Sequence, residues 1–163
     1  MRKKVLIIGA NGFTGRRVLD DLSRNIAYRV TGCSLHDDIC PGSGDYHFVR
    51  TDICDNNALE KLFAAVRPDV VVNTSVPDYC ETHHEEADAI NITAVSRLAE
   101  YCRMHDSRFI HLSTDFVFSG NTDRLYTEED TPGPVNYYGH TKLEGEKRIT
   151  AICENYAIVR VVV

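Results

Sequence analysis

Apolar residues along the chain fall into short continuous runs that alternate with longer segments of helical spacing. Residues 4–8 form the first run, and residues 14–24 repeat apolar side chains about every three or four positions, which indicates a helix. The run at 70–72 lacks polar alternation, which is typical of a strand buried on both faces. The predicted strands cover 4–8, 28–33, 46–49, 70–72, 109–112 and 157–163, and the predicted helices cover 14–24, 56–66, 83–105 and 137–154, with a loop at 37–45. This alternation predicts an α/β protein with a doubly wound parallel sheet.

The first predicted strand runs directly into a glycine-rich turn, residues 9–15. In such a turn Gly9 permits the sharp bend, Gly12 lets the backbone approach a pyrophosphate, and Gly15 lets the next helix pack closely. The helix N-terminus then offers free N–H groups to the phosphates. An isolated match would fit a purely structural turn equally well, but the flanking strand and helix favour a Rossmann-type NAD(P)-binding fold. The candidate cofactor-binding residues here are Gly9, Asn11, Gly12, Phe13, Thr14 and Gly15.

Ser34 stands near the end of the second predicted strand, where NAD-binding folds usually carry an acid for the ribose hydroxyls. Without that carboxylate a 2′-phosphate meets no repulsion, and Arg16, Arg17 or His36 would be the neighbouring cations. The sequence therefore favours NADP(H) over NAD(H) as the cofactor. A solvated helix face explains the two arginines equally well.

Thr51-Asp52-Ile53 follows the third predicted strand, at a place where an acid can meet the adenine amino group. A second interpretation is that Asp52 or Asp55 caps the helix that begins at Asn56. Both interpretations stay open at this point.

A group of polar side chains is predicted at the end of the fifth strand and the start of the helix after it. Thr114 lies at the carboxyl edge of the sheet, where ligands bind in such folds. Tyr138 and Lys142 are four residues apart and share one face of the helix. An ammonium near a phenol lowers the pKa of the phenol, so Tyr138 becomes a candidate acid or base near neutral pH. Thr114 would orient a carbonyl oxygen and Lys142 would also bind the nicotinamide ribose; an exposed helical pair is the ordinary alternative.

Composition argues against several classes of function. The chain has 163 residues and a net charge of -6, which argues against a surface for nucleic acid. Apolar runs stay well below the roughly 18 residues of a membrane span. Six cysteines are scattered without metal-ligand spacing, which favours reduced thiols in a cytoplasmic protein. The consecutive His83-His84-Glu85-Glu86 would point in different directions on a helix, so no metal site is expected.

Four segments together resemble the extended short-chain dehydrogenase/reductases, and among them the dTDP-4-dehydrorhamnose reductase family. They are residues 9–15, 67–73 (RPDVVVN), 113–120 (STDFVFSG) and 134–146 (PVNYYGHTKLEGE), of which the last is the most specific. The resemblance covers essentially the whole chain.

The resemblance implies reduction of the 4-keto group of a nucleotide-linked 6-deoxysugar in dTDP-rhamnose biosynthesis, with NADPH or NADH, by an enzyme that is able to form a homodimer. It places Gly12, Phe13 and Thr14 at the pyrophosphate, Asp52 and Ile53 near adenine, and Thr74, Ser75 and Val76 along the nicotinamide side. It also places Thr114 and Asp115 at the sugar, with Tyr138 as proton donor and Lys142 as its partner.

Residues 1–163 are accordingly expected to be an NAD(P)-binding domain. The chain ends inside a predicted strand, and the carboxy-terminal substrate-binding region of the family is expected to lie outside it. Two alternatives stay open. One is a nucleotide-sugar epimerase or dehydratase, which would retain tightly bound NAD. The other is a non-catalytic regulatory subunit that resembles the one of methionine adenosyltransferase.

Overall fold

The computed structural model describes residues 1–39, 41, 44–77 and 79–162. Its strands are β1 (Lys3–Ile8), β2 (Tyr28–Ser34), β3 (Tyr46–Arg50), β4 (Val70–Asn73), β5 (Arg108–Thr114) and β6 (Tyr156–Val161). Its α-helices are α1 (Phe13–Ser23), α2 (Asn56–Val66), α3 (His84–Asp88), α4 (Val95–Met104) and α5 (Tyr137–Ile152). Apart from the helix predicted at 83–105, the predicted bounds agree with these within about two residues. Three residues of the predicted loop (Cys40, Gly42 and Ser43) and Val163 of the last predicted strand lie outside the described residues.

The six strands form one sheet in the order β3-β2-β1-β4-β5-β6, and every neighbouring pair is parallel. The predicted doubly wound α/β fold is therefore confirmed. The chain order reverses between β1 and β4, so the crevice beyond the carboxyl ends of these two strands is the switch point of the fold.

The sheet separates two apolar layers, because alternate residues of a strand face opposite sides. Leu6 and Ile8 of β1 belong to the larger layer, together with residues of α2 and α4 such as Phe63 and Leu98. Ile7 belongs to the smaller layer, which α1 covers through residues such as Leu19. Both layers hold β1 rigidly, and β1 in turn fixes the position of the glycine turn.

The prediction of one continuous helix at 83–105 is wrong in detail. The segment consists of α3, a π-helical turn (Ala89–Ala94) and α4. A π-helical turn inserts an extra residue into the helical repeat and rotates the side chains that follow. Asn91 is consequently almost fully buried, and the backbone there lies so close to α5 that a Cβ on Gly145 would be 2.5 Å from Asn91 O.

No helix among the described residues combines the length and the apolar character that a bilayer crossing requires. The five described cysteines are free thiols.

Candidate active site

The carboxyl ends of three neighbouring strands bring the candidate residues to one edge of the sheet. Ile8 of β1 pairs with Asn73 of β4, and Asn73 pairs with His111 of β5. The glycine turn follows β1, the loop with Thr74 and Ser75 follows β4, and Thr114 ends β5. Two regions thus meet at this edge: the glycine turn, and the polar cluster that β5 forms with α5.

The glycine turn depends on the absence of a side chain at Gly9. Its φ of 78° lies in the left-handed region, and a Cβ would come within 2.8 Å of Ser75 N. The turn is held by backbone hydrogen bonds in which Gly9 N and Ala10 N donate to Cys33 O, at 3.0 and 2.9 Å. The sharp bend expected at Gly9 is therefore present.

Gly15 lies in close contact with the turn that precedes its helix. A Cβ at Gly15 would lie 2.2 Å from Gly9 O and 2.5 Å from Thr74 Oγ1. Thr74 Oγ1 donates to Ile8 O at 2.8 Å, so its side chain is fixed where Gly15 passes. The close approach predicted for Gly15 is thus to the turn and the loop after β4.

The N-terminus of α1 has the features that a dinucleotide pyrophosphate needs. Gly12 is the N-cap and no side chain accepts a hydrogen bond from the first turn. Phe13 is 84% exposed, so its ring leaves the helix end open. Uncapped N–H groups with a positive partial charge favour a bound phosphate. The residues present therefore fit a nicotinamide dinucleotide, and Gly12, Phe13 and Thr14 stay the residues predicted for its phosphates.

The segment after β2 is tied to the glycine turn. Asn11 Nδ2 donates to Asp37 O at 2.9 Å, and Ser34 O accepts a bond of 2.8 Å from Thr51 N. Arg16, expected as a neighbour of a 2′-phosphate, instead forms ion pairs with Asp38 at 2.8 Å and with Asp20 at 3.2 Å. Asn11 thus helps to shape the turn, and the guanidinium of Arg16 is already paired.

The structure separates the two interpretations of the acids after β3. Asp55 is the N-cap of α2, since its carboxylate accepts from Asn57 N at 2.8 Å and from Ala58 N at 3.2 Å. Asp52 is exposed and accepts from Cys54 N at 2.8 Å. Asp52 therefore remains a candidate for the adenine end, whereas Ile53 is buried in the larger apolar layer.

The loop after β4 begins with two hydroxyl residues that turn back toward the sheet. Ser75 N and Ser75 Oγ both donate to Asn73 Oδ1, at 3.1 and 2.7 Å. Val76 is 48% exposed and lies next in the loop. Of the residues assigned to the nicotinamide side, Thr74 and Ser75 thus have their side chains engaged within the protein, while Val76 is open to solvent.

Thr114 occupies the end of β5 and is almost fully buried. Its Oγ1 accepts from Phe116 N at 3.2 Å and donates to Asp115 Oδ1 at 3.2 Å, so it also caps the short 3₁₀ turn Asp115–Val117. The side chains of Thr114 and Asp115 are therefore adjacent, as the assignment of both to one ligand requires.

Tyr138 is half-buried at the start of α5, with its ring edge-on to Phe116 at a centroid distance of 6.0 Å. Burial raises the pKa of the Tyr138 phenol, and a hydrogen bond with Thr114 opposes that shift. Cys80 and Asp115 raise the pKa of the phenol further. The expectation that Lys142 lowers this pKa is wrong for this arrangement. A phenol that stays protonated is suited to donate a proton.

Lys142 is buried one turn after Tyr138 on α5, and its amino group faces β5. Nζ donates to Leu112 O at 2.7 Å and lies 3.3 Å from His111 Nε2. Burial lowers the pKa of Lys142 to about 8, and Glu146 is the main charge that opposes this effect. The sequence brings Tyr138 and Lys142 to one helix, but these contacts direct the lysine toward the sheet.

Glu81 is a residue of the site that sequence reasoning missed. Its carboxylate accepts from Tyr138 N at 2.9 Å and from Tyr137 N at 3.1 Å. These two backbone bonds, that of Tyr138 first, lower the pKa of Glu81. The Asn136 side chain adds a third bond by accepting from Gly139 N at 2.9 Å. No local signal predicts the contact of Glu81, since 57 residues separate it from Tyr138.

His111 and the pair Glu146–Arg160 were missed as well. His111 is buried in β5 and contacts both Asn73 and Lys142. Glu146 is buried one turn beyond Lys142 and forms two bonds with Arg160 of β6, at 3.0 and 2.7 Å. A histidine inside an otherwise apolar run is the signal that would have drawn attention to His111.

Fold and site together define the class: a Rossmann-like α/β domain whose glycine turn and tyrosine–lysine helix share one sheet edge. Residues 2–163 match the family model described as the RmlD substrate binding domain. The chain belongs to this family.

Known proteins support this membership. Methionine adenosyltransferase 2 subunit beta of Bos taurus is 33% identical over 162 residues, which make up 98% of this chain and 46% of that protein. The crystal structure of a dTDP-4-dehydrorhamnose reductase from Clostridium acetobutylicum superposes with a TM-score of 0.82 and 31% identity, over 96% of this chain and 52% of the other.

A UDP-glucuronic acid 4-epimerase from Bacillus cereus in complex with NAD superposes with a TM-score of 0.82 and 29% identity, over 98% of this chain and 56% of the other. The chain spans about half the length of the relatives it matches.

Proposed function

We propose that residues 1–163 are the cofactor-binding and proton-donating part of an NAD(P)H-dependent reductase. Its reaction is reduction of the 4-keto group of a nucleotide-linked 6-deoxysugar, dTDP-4-dehydrorhamnose to dTDP-rhamnose. The observation that carries the proposal is the half-buried Tyr138, hydrogen-bonded with Thr114, at the sheet edge that also holds the glycine turn. The resemblance to a solved dTDP-4-dehydrorhamnose reductase supports the choice of substrate.

Each residue has a separate task in this proposal. The dinucleotide supplies hydride when it is bound. Tyr138 donates its phenolic proton to the oxygen of the reduced carbonyl, which general acid catalysis requires. Thr114 and Asp115 hold the sugar next to the phenol. Lys142 in its ammonium form contacts the nicotinamide ribose and stabilises the phenolate that remains on Tyr138 after the proton has left.

NADPH is the proposed preferred cofactor because Ser34 leaves no carboxylate at the end of β2. Arg16 is paired with Asp38 and Asp20, so Arg17 and His36 are the remaining cations that sequence analysis assigned to a 2′-phosphate. Fluorescence titration of the chain with NADPH and with NADH measures this preference. We expect saturation with both and the lower Kd for NADPH.

Replacement of the phenolic oxygen tests the proton donor. In the full-length protein, we expect Tyr138→Phe to lower kcat for NADPH oxidation with dTDP-4-dehydrorhamnose by about 100-fold or more. Its Kd for NADPH should stay within about twofold of the unchanged protein, because the phosphates bind at the glycine turn. Tyr156→Phe on β6 is the matched control and should leave both constants unchanged. Near-normal turnover of Tyr138→Phe would show that the phenol is not the acid.

A regulatory subunit is the second candidate, and it is favoured by the 33% identity to methionine adenosyltransferase 2 subunit beta over 98% of the chain. Such a protein would bind the dinucleotide and a partner without turnover. An epimerase that retains NAD is the third, supported by the UDP-glucuronic acid 4-epimerase. Saturable NADPH binding without keto-sugar reduction would favour the regulatory candidate, and NAD that stays bound through purification would favour the epimerase. A homodimer stays a prediction.

A further inference from the structure

A chain of hydrogen bonds runs from the loop after β4 to Lys142, behind the proposed site. It begins at Ser75, whose backbone N and Oγ both donate to Asn73 Oδ1, at 3.1 and 2.7 Å. A backbone N–H can only donate, so the atom it meets must be the oxygen of the Asn73 amide. The NH₂ group of Asn73 therefore faces His111.

This orientation of Asn73 determines where His111 carries its proton. Asn73 Nδ2 lies 3.1 Å from His111 Nδ1, and since an amide nitrogen only donates, Nδ1 is the acceptor. Burial, and after it the neighbouring Lys142, hold the pKa of His111 well below its ordinary value, so the ring is neutral. A neutral imidazole with an accepting Nδ1 has its proton on Nε2.

The same reasoning extends to Lys142. Its Nζ lies 3.3 Å from His111 Nε2 and donates to Leu112 O at 2.7 Å. With the proton on Nε2, the lysine nitrogen has to accept the bond from His111 through a lone pair. An ammonium has no lone pair, so this geometry belongs to the neutral amine.

We infer that His111, oriented by Asn73, is a positioning residue that donates to neutral Lys142 on β5, and that this contact is lost when Lys142 takes up a proton. The contact is lost because an ammonium and an Nε2–H are both donors and cannot bond to each other, whereas Leu112 O still accepts from Nζ. The inference depends on the proposed function only for the task of the ammonium beside Tyr138.

The groups around Lys142 place the change in its protonation state near physiological pH. Glu146 on its own helix and Cys80 in the loop after β4 favour the ammonium, whereas burial, the larger effect, favours the amine. The outcome is the pKa of about 8. Glu146 is itself paired with Arg160. The charged lysine, without the His111 contact, therefore dominates below this pH, and the neutral lysine that accepts from His111 dominates above it.

Two measurements that need no turnover test the inference. Long-range ¹H–¹⁵N spectra of the histidine-labelled chain report which ring nitrogen of His111 carries the proton, with His111→Phe identifying the signal. We expect the proton on Nε2 at neutral and mildly alkaline pH. The second measurement follows the titration of the Lys142 amine by NMR of the lysine-labelled chain, and Lys142→Met identifies that signal.

We expect His111→Phe to move the titration of Lys142 upward by about one pH unit, because the donor that stabilises the amine is gone. His111→Gln retains a donor toward Lys142 and an acceptor toward Asn73, so it should restore the original titration. His47→Phe, an exposed histidine of β3, is the matched control and should change nothing.

A proton on Nδ1, or a doubly protonated ring at neutral pH, would overturn the inference. Both are measured on the unchanged chain, and His111→Gln identifies the His111 signal if His111→Phe fails to fold. An unshifted Lys142 titration in a folded His111→Phe would overturn it too. Failure of the proposed reductase activity alone leaves both measurements intact, so the two proposals are separable.

Discussion

The glycine turn and the polar cluster at the start of α5 lie at the same edge of the sheet but are built differently. In the turn, backbone packs directly on backbone, as Gly15 does on Gly9 O. In the cluster, polar side chains reach from one element to another, as the exposed Glu81 does to Tyr138 and the buried Glu146 does to Arg160.

This difference determines how each region responds to change. A close backbone contact leaves no space for added atoms, because a new side chain would meet atoms that the sheet holds in place. A polar contact has alternatives such as another rotamer, another partner or water, unless it is buried. Substitutions should therefore be most damaging at the turn, intermediate at buried polar pairs of the cluster and mildest at its exposed contacts.

The largest effect is expected at Gly15. Gly15→Val should lower the free energy of unfolding by about 4 kcal/mol or more, since its side chain would occupy the space of Gly9 O and Thr74 Oγ1. Urea denaturation measures the loss. Gly133→Ala is the matched control, because the nearest atom to its added Cβ would be 3.9 Å away. Equal stability of the two variants would contradict the claim that the glycine turn is the region most sensitive to substitution.

The buried ion pair of the cluster should give the next largest effect. Arg160→Met leaves the Glu146 carboxylate buried without its partner, which should cost about 3 kcal/mol in the free energy of unfolding. Lys147→Met breaks the more exposed pair with Glu144 on the same helix and should cost less than about 1 kcal/mol. Urea denaturation of both variants under the same conditions gives the two losses in the free energy of unfolding. A smaller loss in Arg160→Met than in Lys147→Met would contradict it.

The smallest effect is expected at the exposed carboxylate of Glu81. Because its folded pKa is lowered, its contribution to stability is full above the ordinary carboxyl pKa and is lost as the pH falls through the lowered one. Glu81→Gln should abolish this pH dependence and accelerate amide exchange at Tyr137 and Tyr138 by roughly two- to fivefold.

Hydrogen exchange followed by NMR at neutral and acidic pH measures the change. Glu85→Gln, an exposed acid in the first turn of α3, is the matched control and should leave the two tyrosine amides unaffected. Unchanged exchange in Glu81→Gln would mean that the Asn136 cap alone holds the helix start.

The strands and most helices could be predicted because their apolar spacing is a local property. The segment at 83–105 shows the limit of this reasoning. Its apolar stripe has helical spacing throughout, but at the π-helical turn Asn91 O packs against Gly145 of α5, more than fifty residues away. A pattern within one segment contains no information about such a contact.

The candidate site also has features that local spacing predicts and features that depend on distant contacts. Spacing alone identified the glycine turn, since the steric demands at Gly9 and Gly15 follow from the bend itself. It also placed Tyr138 and Lys142 on one face. It did not give the direction of the Lys142 side chain, which depends on contacts with β5. It also did not give the raised pKa of Tyr138, which depends first on burial.

Two buried thiols, Cys33 and Cys102, can report local opening of the structure near the two regions. Cys33 O holds the glycine turn through Gly9 N and Ala10 N, while Cys102 lies inside α4, the helix packed on α5. Burial raises the pKa of Cys33 to about 12 and that of Cys102 still further above its ordinary value. A thiol reagent reaches either sulfur only when its surroundings open. The alkylation rate at each cysteine therefore reports how often the surroundings of that thiol open.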